Sequence, residues 1–111
     1  MKEPDMKKIE CIIRPEKLRE VVDELRSIGV GGVTITEVKG FGKETTRPDS
    51  YLILPKTKIE IYATNDQIDE ITDIIIRACN SGTFGDGKIA VLPLNDVIRI
   101  RTQEKQELAI Y

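Results

Sequence analysis

The apolar positions of this chain trace one pattern twice. Ile9, Cys11 and Ile13 alternate as the inward side of a strand, and Pro15 then sits where a first helical turn tolerates a missing N–H. Leu18, Val21, Val22, Leu25 and Ile28 follow at i, i+3, i+4, i+7 and i+10, the stripe of an amphipathic helix, which Gly29 to Gly32 end. The second copy runs Ile59, Ile61 and Ala63 along a strand, takes Asn65 or Asp66 as its N-cap, and continues as a helix stripe of Ile68, Ile71, Ile75 and Ala78. Asn80, Ser81 and Gly82 stop it. The triplet Lys8-Ile9-Glu10 returns as Lys58-Ile59-Glu60, which marks the two copies as repeats.

Each helix leads into another strand, Val33 to Phe41 after the first and Lys88 to Leu92 after the second, with a short extra strand over Val97 to Arg101. The order βαββαβ predicts an α+β, ferredoxin-like domain, an antiparallel sheet with two helices on one face. The other face carries Lys8, Glu10, Thr34, Thr36, Lys58 and Glu60, interrupted by Ile12 and Val38. Such a mixed face is either solvated or buried against copies of itself, and symmetric self-association is preferred because it covers the two apolar residues.

The stretch "SGTFGDGKIA", Ser81 to Ala90, has the glycine and lysine spacing of a phosphate-binding loop. In an ATPase loop a strand precedes the glycines and a helix follows, so that the helix N-terminus faces the phosphates. Here the order is reversed, and Ile89 stands where a magnesium-binding hydroxyl is required. An anion can still be held by backbone N–H groups at Gly82, Gly85 and Gly87 with Lys88 at the rim. A helix C-cap running into a tight turn, with Asp86 as a turn residue, explains the same residues. The run "VIRIRT" supplies a second basic element: strand alternation would put Arg99 and Arg101 on one face, set for bidentate phosphate contacts or simply guarding a solvated edge.

Composition narrows the function. The 111 residues suit one domain, and 17 lysines and arginines against 19 acidic residues leave a net charge of −2, without the basic excess of a general nucleic-acid binder. The start "MKEPDMKK" lacks a signal peptide's apolar segment and no run is long enough to span a bilayer, so a cytoplasmic location is expected. Cys11 and Cys79 form no C-x-x-C pair and histidine is absent, which disfavours a metal site and removes the commonest general base.

The runs "MKKIECIIRPEKLREVVDELRSIGVGGVTITEVKGFG", "LPKTKIEI", "SGTFGDGKI" and "VIRIRT" closely resemble the PII signal-transduction proteins over nearly the whole chain, Met6 to Thr102. The resemblance makes residues 1–5 an N-terminal extension to one domain over 6–111. It implies a homotrimeric sensor rather than a catalyst, its inner surface built from the polar sheet faces, with ATP or ADP bound in clefts between subunits. By matching positions, Gly85, Asp86, Gly87 and Lys88 would cradle the phosphates and Arg99 and Arg101 clamp them. Thr34 would lie by the adenine, with Ile12 as an apolar wall and Gly42 at the edge of the long loop. Nucleotide state would change the shape of that loop, which docks on a target protein such as a membrane transporter or a metabolic enzyme.

The departures lie in the loop, about 43–54. After Gly42 the chain reads "KETTRPDSYLILPK", shorter than the family's target-binding loop, and Pro48 disturbs any alignment of Ser50 and Tyr51 with the family's modified serine and tyrosine. The glutamine that helps the family hold magnesium and 2-oxoglutarate beside ATP is here Glu44, and Lys43 replaces the arginine before it. A carboxylate opposite those of 2-oxoglutarate is unfavourable, although it can still ligate magnesium. Lys56 remains at the loop base, where members contact that ligand. Weak or lost 2-oxoglutarate sensing is therefore expected. The alternatives are a full nitrogen-regulatory sensor of ATP and 2-oxoglutarate, or a slow nucleotide hydrolase in which Asp86 or Glu44 positions water. An RNA-binding domain would need aromatic-rich strands, which the sequence lacks.

Overall fold

The structure, a computed structural model, describes residues 5–42 and 53–110. The order is β1 (Met6–Ile13), α1 (Leu18–Ser27), β2 (Thr34–Gly40), β3 (Leu54–Thr64), α2 (Ile68–Cys79), β4 (Lys88–Pro93) and a final short helix α3 (Glu107–Ile110). The four strands form one sheet in the order β2-β3-β1-β4, each neighbouring pair antiparallel. This is the predicted ferredoxin-like arrangement.

The strand periodicity decides which face the helices cover. Ile9 lies opposite Ile61 and Cys11 opposite Ile59, and these side chains are buried with Ile13 and Ala63. Val21 and Leu25 of α1 and Ile71, Ile74 and Ile75 of α2 close the same core. Each fully buried isoleucine contributes roughly 1.5–3 kcal/mol of transfer free energy, so the alternation and the two stripes together fix the sandwich.

A 3₁₀ turn introduces each main helix, Pro15–Lys17 before α1 and Asn65–Gln67 before α2. The two turns begin fifty residues apart (65 − 15), as do the two helices (68 − 18). The cap of the second unit is Thr64, not Asn65 or Asp66. Thr64 is extended at φ −81° and ψ 159°, its amide donates to Gln67 Oε1 at 3.2 Å, and its hydroxyl donates to Asp66. Asn65 and Asp66 lie inside the turn that Thr64 opens.

On the open face the repeated triplets meet. Glu10 stands directly opposite Glu60, and the like charges are relieved along the diagonals: Lys8 Nζ lies 2.5 Å from Glu60 and Lys58 Nζ 3.0 Å from Glu10. The Lys8 contact raises the lysine's pKa and lowers that of Glu60. Ile12 is 40% exposed on this face.

The expected strand over Val97 to Arg101 does not form. Ile98 makes only an isolated bridge to Lys105, and the chain turns back between them, with Gln103 N donating to Arg99 O at 2.7 Å. Asp96 Oδ1 accepts from the amides of Val97, at 2.8 Å, and Gln106, at 3.3 Å, which draws the ends of the segment together. Gln103 and Gln106 take positive φ, 61° and 56°, to complete the reversal.

Candidate nucleotide-binding cleft

The segment between α2 and β4 is organised around one carboxylate. Asp86 Oδ2 accepts from the amides of Ser81 (2.7 Å), Gly82 (2.9 Å) and Thr83 (3.3 Å), while Oδ1 takes the Ser81 hydroxyl and the Arg14 guanidinium, both at 2.5 Å. The Ser81 hydroxyl and amide, followed by Arg14, hold this carboxyl well below the usual carboxylate range. The turn reading therefore describes the first half of the loop. The Gly82 amide, also 3.0 Å from Asn80 Oδ1, serves the turn, which leaves Gly85 to Lys88 as the stretch that can face a ligand.

That stretch is pressed onto β1. Gly87 has φ 114°, and a Cβ there would lie 2.1 Å from the carbonyl oxygen of Ile12, so only glycine lets the two backbones approach this closely. Gly85 is also in positive φ, at 97°, and its carbonyl oxygen accepts from Lys56 Nζ at 3.5 Å.

Beside this loop lies an open cleft of about 740 Å³ between β1, the end of β2, the start of β3 and the head of β4. Lys39, Lys56, Lys58 and Lys88 line it, Lys58 being ion-paired with Glu10 at 3.0 Å, while Ile12 and Phe41 add apolar surface and Gly85 and Gly87 form part of its wall. A second hollow of about 360 Å³ lies behind the loop, lined by Ile13, Ile75 and Cys79, so that Asp86, Gly87 and Lys88 separate two spaces.

The fold brings Ile12, Gly42, Lys56, Gly85, Asp86, Gly87 and Lys88 to the first cleft. Thr34, Arg99 and Arg101 are not among its lining residues. Thr34 is paired with Glu60 on β2, and Arg99 is tied to Glu104 at 3.0 Å and to the Leu108 carbonyl at 2.9 Å. Arg101 is exposed in the turn that replaces the expected strand, so strand alternation does not align the two arginines. Lys43, Glu44, Pro48, Ser50 and Tyr51 lie outside the described residues. Among the described residues no histidine, cysteine or acidic cluster is placed to hold a metal ion. Sequence reasoning missed Arg14, whose partners lie 67 to 72 positions away and leave no local signal. It also gave Asp86 too little structural work: both of its oxygens are engaged by the loop and Arg14.

The fold is a ferredoxin-like domain with a basic, glycine-walled cleft, and its order of helix, glycine loop and strand is not that of a P-loop ATPase. Residues 6–104 match the family model "Nitrogen regulatory protein P-II", and the chain belongs to that family of nitrogen-regulatory signal-transduction proteins. It is 48% identical over 112 residues to the nitrogen regulatory protein P-II of Klebsiella oxytoca, covering 95% of this chain and all of the relative. The nitrogen regulatory protein GlnK of Escherichia coli K12 is 46% identical with the same coverage. The crystal structure of Arabidopsis thaliana PII bound to citrate superposes with a TM-score of 0.82 at 40% identity, covering 96% of this chain and 92% of that one. No helix among the described residues is long and apolar enough to cross a membrane.

Proposed function

We propose that the protein is a homotrimeric sensor that binds ATP and ADP in clefts between subunits and reports nucleotide state to a target protein through the segment about 43–54. The observation that carries this reading is the convergence of Lys56 and Lys88 on a cleft whose wall, Gly85 to Gly87, is pressed against β1. Backbone N–H groups in such a turn, with the Lys56 and Lys88 ammonium groups beside them, suit a polyphosphate. The citrate named with the Arabidopsis relative is likewise a compact polyanion, which supports anion capture by this scaffold.

Thr34 and Arg101 lie away from the cleft within one chain, which suits a site completed by an adjacent subunit. Self-association through the open sheet face would cover Ile12 while leaving the Lys8–Glu60 and Lys58–Glu10 pairs already satisfied. Bound ATP and ADP differ at the γ-phosphate, and a loop rooted at Gly42 and Lys56 responds to that difference only through unequal affinity of its conformations for the two ligands. The target is a membrane transporter or a metabolic enzyme, the location is cytoplasmic, and the chain regulates rather than catalyses. Magnesium would accompany ATP, held chiefly by the phosphates, with Glu44 as the carboxylate that the sequence offers.

The same carboxylate makes 2-oxoglutarate binding weak. Titration calorimetry with ATP, ADP and then 2-oxoglutarate over Mg-ATP tests the reading, together with sedimentation to count subunits. Saturable nucleotide binding by a trimer supports it, and a monomer that binds neither nucleotide overturns it. Tight ATP-dependent binding of 2-oxoglutarate would instead favour the full nitrogen-regulatory sensor, for which Lys56 is already in the cleft.

A further inference from the structure

A carboxylate in the wall of an anion-binding cleft is a liability. Asp86 is such a residue, and its negative charge would oppose a phosphate unless something neutralised it. The neutralising group is Arg14, which stands one residue beyond β1 and does not line the cleft. Pro15 follows it, and Arg14 keeps the extended conformation, φ −66° and ψ 138°, that a residue before proline prefers. From there its planar fork reaches Asp86 Oδ1 at 2.5 Å, the Phe84 carbonyl at 2.8 Å, Thr83 Oγ1 at 3.3 Å and Ser81 Oγ at 3.4 Å.

We propose that Arg14 and Asp86 form a positioning pair that holds the 81–86 turn in its ligand-receiving shape and cancels the Asp86 charge toward the bound anion. Arg14 is thereby a determinant of nucleotide affinity without touching the nucleotide. This deepens the nucleotide-binding reading and rests on it. Two anchors join the loop to the end of β1: the Gly87 backbone lies against Ile12, and the Asp86 side chain lies against Arg14 two residues on. A lysine at position 14 would keep the charge but lose the fork that spans four acceptors.

The test compares Arg14→Gln, Arg14→Lys and the double variant Arg14→Gln/Asp86→Asn with the unmodified protein. Affinity for ADP is measured by calorimetry, and amide hydrogen exchange is followed at Gly82 and Thr83. Arg14→Gln should weaken ADP on the order of tenfold, the size of one uncancelled carboxylate a few ångströms from an anion near the protein surface, and should speed exchange at both amides. Arg14→Lys should fall between, and the double variant should recover part of the affinity because the uncancelled charge is gone. A purely structural Arg14 would lower the melting temperature without that recovery, and this result, or unchanged ADP affinity in Arg14→Gln, overturns the proposal. If the unmodified protein binds no nucleotide, the cleft reading fails. The clamp is then decided by exchange alone, accelerated in Arg14→Gln if it stands and unchanged if it falls.

Discussion

Gly87 and Ile12 touch backbone to backbone: a Cβ on the glycine would sit 2.1 Å from the isoleucine's carbonyl oxygen and 3.1 Å from its carbonyl carbon. No side-chain adjustment relieves such a contact, so the turn and β1 are joined by the absence of an atom.

Gly87→Ala should therefore cost the ~1–3 kcal/mol of a strained φ and a further steric penalty, since backbone must move. Gly82→Ala provides the comparison, with φ 76° but nothing within 4 Å of a new Cβ. Its cost should stay near the ~1–2 kcal/mol of the left-handed conformation alone. Thermal melts of the two variants check this, and equal shifts would show that the Ile12 contact relaxes freely.

Lys88 heads β4 at the rim of the cleft and Arg101 is exposed in the C-terminal turn. Alanine at either position should weaken ATP and ADP by the ~1.5–3 kcal/mol of a charge-assisted contact while leaving the melting temperature of the free protein nearly unchanged. Arg99→Ala should act differently. It removes the contacts to Glu104 and to the Leu108 carbonyl, so it should loosen the segment around α3, visible as faster amide exchange there. Unaltered affinity in both Lys88→Ala and Arg101→Ala would remove those residues from the site.

Acid stability follows from the signs of two shifts. The folded-state pKa values of Glu60 and Asp86 lie below their ordinary ones, Glu60 through Lys8 and Asp86 through Ser81 first and then Arg14. Each carboxylate stabilises the fold fully above its unfolded pKa of about 4, and the contribution is lost as pH falls through the folded value. Lys8 has the opposite sign: its contribution is present below about 10.4 and disappears as pH rises through its raised folded value. Glu60→Gln and Asp86→Asn should each flatten the acid limb of melting temperature against pH. The Glu60 effect should shrink with added salt, because the pair is partly exposed. An acid limb of undiminished slope in both variants would contradict this account.

Cys11 and Cys79 are buried and free, and burial pushes the Cys11 thiol up to about 11 and raises that of Cys79 as well. The thiolate is the reactive species, so neither thiol should be labelled by a disulfide reagent at neutral pH until denaturant is added. Rapid labelling of the native protein would show that the core around α2 opens readily.

The fold was legible where periodicity reports on burial. Ile9, Cys11 and Ile13, and the stripes of both helices, are inward because a two-residue or 3.6-residue repeat has one solution against a sheet. The same logic failed over Val97 to Arg101. There the alternation imitates a strand, but Asp96 captures the amides of Val97 and Gln106 and the chain reverses between them. The site was half legible. Glycines and lysines mark themselves by type, so Gly85, Gly87 and Lys88 could be picked out, whereas Arg14 acquires its role only when folding brings it to residues 81–86.

The fifty-residue repeat has a further consequence for how the chain folds. An approximate dyad passes between Glu10 and Glu60 and carries Lys8 onto Lys58 and α1 onto α2. Yet the sheet order interleaves the copies: β3 lies between β2 and β1, and β1 between β3 and β4, so the two strands of each copy are never neighbours. Neither copy can complete a hydrogen-bonded ladder by itself, so the backbone groups of each strand stay bonded to water until the other copy arrives. A half-folded species with one repeat intact has no sheet to stand on, which makes folding of the duplicated chain all-or-none across the repeat boundary.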